Sequence, residues 1–114
     1  MKSYTDIEQS KKLTKILPIE SADMIYQSVE DEYGDGTWEA LPKEHPLNIG
    51  YNNDISCWSL TALLDILPTG KVLLHDKGNH GYKCICNNID SYYFNNPIDA
   101  CYEMILQLHK LKIL

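Results

Sequence analysis

No stretch of this sequence approaches the roughly 18 consecutive apolar residues that a membrane span requires. The first residues, Met1-Lys2-Ser3-Tyr4-Thr5-Asp6, hold no apolar run and no cleavage signal. The chain is therefore expected to be neither exported nor membrane-bound, and to work in the cytoplasm. Phosphate loops are missing too: neither the dinucleotide pattern G-x-G-x-x-G nor a Walker pattern ending in Gly-Lys-Ser/Thr occurs. Gly34 and Gly36 have the first spacing, but Glu39 stands where the third glycine belongs. The run Asp31-Glu32-Tyr33-Gly34-Asp35-Gly36 opens like a calcium loop, then fails at Tyr33 and at Pro42, where ligands are required.

Zinc pairs of the C-x-x-C kind are also lacking. Cys84-x-Cys86 is one residue too tight, although a strand would place both sulfurs on one side. Cys101, Cys57, His75 or His80 could complete a site only if the fold gathered them. The four cysteines are expected to be reduced core thiols, with no metal and no cofactor. Positive charge is in short supply as well, with 10 basic against 16 acidic residues and a formal net charge of −6. The only close cationic group, Lys11, Lys12 and Lys15, suits the wet face of a helix. That argues against nonspecific nucleic-acid binding, which needs clustered cations along phosphates.

What is present is an ordinary globular composition in 114 residues, expected to form one α+β domain over 1–114. A chain of this length buries roughly two-thirds of its unfolded surface and needs no disulfide or metal staple. Eight tyrosines against one phenylalanine suit half-buried strands and contact surfaces. Between Glu20 and Glu44 the acids Glu20, Asp23, Glu30, Asp31, Glu32, Asp35, Glu39 and Glu44 are opposed only by Lys43. This is foremost a solvated face. As a binding surface for a basic partner, its candidates are Glu30, Asp31, Glu32 and Asp35.

End signals predict three helices. The first runs from Asp6 to Leu17, with a capping box of Thr5 and Glu8 and a stop at Pro18. The second runs from Cys57 to Leu67, capped by Ser56 and ended by Pro68 and Gly70. Trp58, Leu60, Ala62, Leu63, Leu64, Ile66 and Leu67 make it apolar nearly all round, so it is expected at the centre of the fold. The third runs from Pro97 to Leu111, with Asn96 as cap and Asp99 in the first turn.

Strands are expected at Ala22–Val29, at Lys71–His75, Tyr82–Cys86 and Ser91–Phe94 as a meander, and weakly near Leu47–Tyr51. The segment from Asp31 to Pro46 reads mainly as loop. The expected architecture is two-layer: one antiparallel sheet of about four to five short strands with three helices, in the order α-β-(β)-α-β-β-β-α.

A cysteine nucleophile needs a nearby base. Cys57 is the best candidate, because a helix N-terminus would lower its pKa, with His45, His75 or His80 as base. No spacing supports the pairing, and Trp58 beside it suggests packing. His109 near a helix C-terminus needs no role beyond favouring the dipole.

Four blocks carry a resemblance. They are Tyr4 to Leu13, Ile16 to Met24, Cys57-Trp58-Ser59-Leu60-Thr61-Ala62-Leu63-Leu64-Asp65-Ile66-Leu67-Pro68, and Asn96 to Cys101 with Glu103-Met104-Ile105 and Leu108-His109 following. Together, over about half the chain, they resemble a family of small proteins of gut bacteria that often travel with phage or other mobile elements. The family has no established function, so the resemblance implies no catalytic residue. In that family a proline commonly precedes the Cys-Trp pair, where this chain has Ser56.

The functional expectation is a non-enzymatic interaction or regulatory accessory module with a protein partner. A homodimer is compatible with the sequence and not required by it. The alternative is a small enzyme or ligand-binding protein using Cys57 with a histidine.

Overall fold

The computed structural model describes residues 2–30, 36–43, 54–76, 78 and 81–114. They form three α-helices and two three-stranded antiparallel sheets, an α+β fold. Two units divide them: an N-terminal unit, Asp6–Trp58, and a C-terminal unit of Ser59–Leu114 together with the residues up to Thr5. The single sheet expected from the sequence is thus two smaller ones, β2-β1-β3 and β4-β5-β6.

In the N-terminal unit, α1 is Ile7–Thr14. Its cap is Asp6, which accepts the Gln9 N–H at 2.8 Å while Gln9 Oε1 accepts the Asp6 N–H at 3.1 Å. The expected Thr5–Glu8 box is displaced by one residue. Both pairs have the right spacing, but Thr5 is wholly buried and grouped with the other unit. The helix also stops short of Leu17, because the amides of Ile16 and Leu17 both bond to the Leu13 carbonyl in a tightened last turn.

The centre of this unit's sheet is β1, Met24–Glu30. It pairs with β2, Gly36–Pro42, from Met24 opposite Pro42 to Glu30 opposite Gly36. On its other side it pairs with β3, Ile55–Cys57, from Met24 opposite Cys57 to Tyr26 opposite Ile55. The presence of β2 corrects the loop reading of this stretch. Gly36 and Pro42 bound a strand rather than punctuate a loop, and a proline is tolerated at the end of an edge strand. The weak strand near Leu47–Tyr51 lies outside the described residues. Among the described residues of this unit, the buried apolar ones are Leu13, Ala22, Ile25, Tyr26, Cys57 and Trp58. The indole N–H of Trp58 donates to Ser21 Oγ at 3.0 Å, and the Ser21 hydroxyl donates to the Pro18 carbonyl at 2.6 Å.

In the C-terminal unit, α2 is Leu60–Ile66, capped by Ser59, whose Oγ accepts the Ala62 N–H at 3.3 Å. The helix was expected to begin at Cys57 with Ser56 as cap. Residues 55–57 instead form β3, because pairing with β1 satisfies their backbone groups. Within α2 only Ala62 and Leu63 are buried, so it is not the central helix. That role belongs to α3, Pro97–Lys110, which buries Ile98, Ala100, Cys101, Met104, Ile105 and Leu108. Its Asn96 cap is as expected: Asn96 Oδ1 accepts the Asp99 N–H at 2.9 Å.

The meander consists of β4, Val72–Asp76, β5, Gly81–Cys86, and β6, Ile89–Asp90. Asn87 and Asn88, with φ of 53° and 63°, make a two-residue left-handed turn. Pairing therefore resumes at Ile89, earlier than the expected strand at Ser91–Phe94. That stretch cannot run as one strand, because Tyr92 has a φ of 69°. Asp90 Oδ1 accepts the Tyr92 N–H at 2.8 Å and holds this conformation. Ser91 Oγ takes the Cys84 N–H, also at 2.8 Å. Tyr82 and Phe94 then exchange two backbone bonds of 2.7 Å each. Gly81, at a φ of 91°, lies beneath this bridge, where a Cβ would collide with the Phe94 carbonyl oxygen. At the chain start, Tyr4 bridges to Ser59 and Lys2 pairs with Asp99 at 2.9 Å. Among the described residues no helix is long and apolar enough to cross a membrane.

Candidate functional site

Cys57 lies in β3, wholly buried, and α2 begins only at Leu60. The helix-terminus argument for an activated thiol therefore does not apply to it. The histidine of its unit, His45, and also His80, lie outside the described residues. His75 is exposed on β4, its ring stacked on that of Tyr82 with centroids 4.1 Å apart. Of the acidic candidates, Glu30 ends β1 opposite Gly36, and Asp31, Glu32 and Asp35 lie outside the described residues.

The meander gives its sheet two unlike faces. Ladder register places Leu73, His75, Tyr82, Cys84, Cys86 and Ile89 on one of them. This face is covered at β5, where Cys84 and Cys86 are buried and α3 packs. The thiols of Cys84 and Cys101 interact, so that a proton is shared unequally between them. The interaction and burial together hold Cys101 far above the ordinary thiol range. The same interaction draws Cys84 down, against the effect of burial. Burial, with Cys84 nearby, pushes Cys86 up. All four cysteines are buried and in no disulfide. Among the described residues no three Cys, His, Asp or Glu side chains gather as a metal would require.

The other face carries Val72, Leu74, Lys83, Ile85 and Asp90. Val72 and Leu74 are 45% and 41% exposed, high for large aliphatic side chains on a strand. Lys83 Nζ bonds Asp90 Oδ2 at 2.8 Å and lies 4.9 Å from the ring centre of Tyr93. The Asp90 bond raises the Lys83 pKa, and the same bond, with the Tyr92 N–H, lowers that of Asp90. The result is an apolar stripe, Val72–Leu74–Ile85, bordered by an ion pair and a tyrosine. Because the sheet order is β4-β5-β6, β4 is an edge among the described residues, and half its backbone N–H and C=O groups point away from β5.

The sequence had already separated Lys83 and Ile85 from Tyr82, Cys84 and Cys86. It did not show that the Lys83 side was the open one. The available signal was the alternation of Val72 and Leu74 with Leu73 and His75 in a strand next to a turn.

No family model, no curated protein and no solved structure matches this chain.

Proposed function

We propose that this protein is a non-enzymatic interaction module, a regulatory or accessory factor whose contact surface is β4 and the open face beside it. The observation that carries this reading is the pair Val72 and Leu74, exposed on an edge strand. Edge strands with exposed apolar side chains accept an added strand: main-chain bonds supply affinity and alternate side chains supply selectivity. The partner is a protein presenting an extended apolar segment. The resemblance to proteins carried by phage and mobile elements supports an accessory role in such an element, acting in the cytoplasm.

The test compares the natural chain with a Val72→Thr, Leu74→Thr variant, which keeps strand propensity while removing apolar surface. Native capture from host lysate, repeated with the variant, should recover a partner with the first and lose it with the second, at equal melting temperatures. Recovery of the same proteins by both would remove this surface from consideration.

A further inference from the structure

A second feature, in the N-terminal unit, goes beyond the reading above. A cavity of about 380 Å³ lies against α1, the turn at Ile19 and the start of β3. That volume is within the range of small-molecule sites, roughly 300–1,000 Å³. Ile19 and Ile55 supply apolar wall, and Thr14 and Ser56 supply hydroxyl-bearing residues. Lys11 and Lys15, one helical turn apart, are exposed beside it and make no ion pair among the described residues.

Asp54 completes the lining. Its Oδ1 is sealed from solvent and has no hydrogen-bond partner among the described residues. A buried carboxyl oxygen without a donor is among the least favourable states a polar group can adopt. The residue as a whole is only half-buried. The terminal torsion of an aspartate is broad, so a donor entering the cavity can turn the carboxyl group onto itself.

Charge selects the occupant. The two lysines repel a bare cation, and Asp54 repels a bare anion. A molecule carrying both charges meets both demands, and an apolar body would lie on Ile19 and Ile55. We propose that this cavity binds a small zwitterion with an apolar side chain. Its ammonium donates to Asp54 and its carboxylate meets Lys11 and Lys15. A free apolar amino acid and a short apolar peptide share this chemistry.

The experiment titrates the full chain with L-leucine and, separately, with leucylleucine, following the backbone amide resonances of Ile55 and Ser56. Saturable shifts with one or both are expected, and the stronger of the two identifies the source. N-acetyl-L-leucine lacks the ammonium and L-leucinamide lacks the carboxylate. Each should bind about tenfold or more weaker, as should L-leucine to an Asp54→Asn variant of unchanged melting temperature. The Lys11→Ala, Lys15→Ala variant, altered only at exposed positions, should weaken L-leucine but not L-leucinamide. The proposal is overturned by three outcomes: no saturable shift from either zwitterion, capped compounds that bind equally well, or full affinity in both variants.

Discussion

The two sheets have the same number of strands and the same antiparallel pairing, yet they are buried differently. In β1 the successive residues Ile25, Tyr26 and Gln27 are all buried, so both faces of that strand are covered. Its neighbour β2 is exposed along most of its length. In β5 burial alternates, with Cys84 and Cys86 inside and Lys83 and Ile85 half-buried between them. Among the described residues, the N-terminal unit thus has its core where β1 meets β3, with Trp58 its largest wholly buried side chain. The C-terminal unit spreads its core along α3 over many medium-sized side chains. Strand number and pairing alone therefore do not fix where stability resides. A concentrated core should be vulnerable at one residue, and a dispersed core at its backbone geometry.

The largest effect is expected at Trp58. Replacement by alanine removes a wholly buried indole and the donor to Ser21. It should cost about 3–5 kcal/mol, the usual range for a buried aromatic truncated to alanine. Urea denaturation of the natural chain and the variant measures this. A loss under about 1 kcal/mol, the scale of an ordinary surface change, would show that the N-terminal core does not centre on this residue.

Next in size is Gly81, which tests the dispersed unit through its backbone. An alanine there would hold a left-handed φ and press its Cβ on the Phe94 carbonyl. We expect about 2 kcal/mol of destabilisation. Amide exchange should report lost protection at the Tyr82 and Phe94 N–H groups, which form the bridge above it. Unchanged protection at those two amides would mean that the turn relaxes without strain.

What the sequence revealed depends on the range of the deciding interaction. The α3 start was legible because Asn96, Pro97 and Asp99 act within one turn. The start of α2 was not. Ser56 and Ser59 both stand before an apolar run, and the choice between them is made by Tyr26, Ile25 and Met24, far off in the chain. The strand β2 was hidden for the same reason, since its pairing with β1 outweighs its glycine and proline. The third meander strand is the exception, because its cause is local: the Asp90 carboxylate two residues earlier accepts the Tyr92 N–H, while a tyrosine by its residue type does not mark left-handed backbone. Lys11 and Lys15 were legible as a wet helix face. Their neighbourhood with Asp54 required α1 and β3 to come together.

The smallest effect is expected from the ion pair on the open face, and pH separates it from the packing terms. Asp90 is held below its ordinary pKa by the Lys83 bond and the Tyr92 N–H. A depressed carboxylate contributes stability above its unfolded pKa, and the contribution is lost as pH falls through the folded value. Lys83 is raised, chiefly by the same bond. Its contribution is present below its unfolded pKa and is lost as pH rises through the folded value. Asp90→Asn removes the charge but keeps an oxygen for the Tyr92 N–H. The stability difference between the natural chain and this variant should be level from about pH 5 to 9, and should shrink below about pH 4 and above about pH 10. Because both groups are at the surface, molar salt should flatten the curve. A difference that persists unchanged at pH 2 would assign the effect to the turn rather than to the charge. The border of the Val72–Leu74 stripe would then be held by backbone geometry alone.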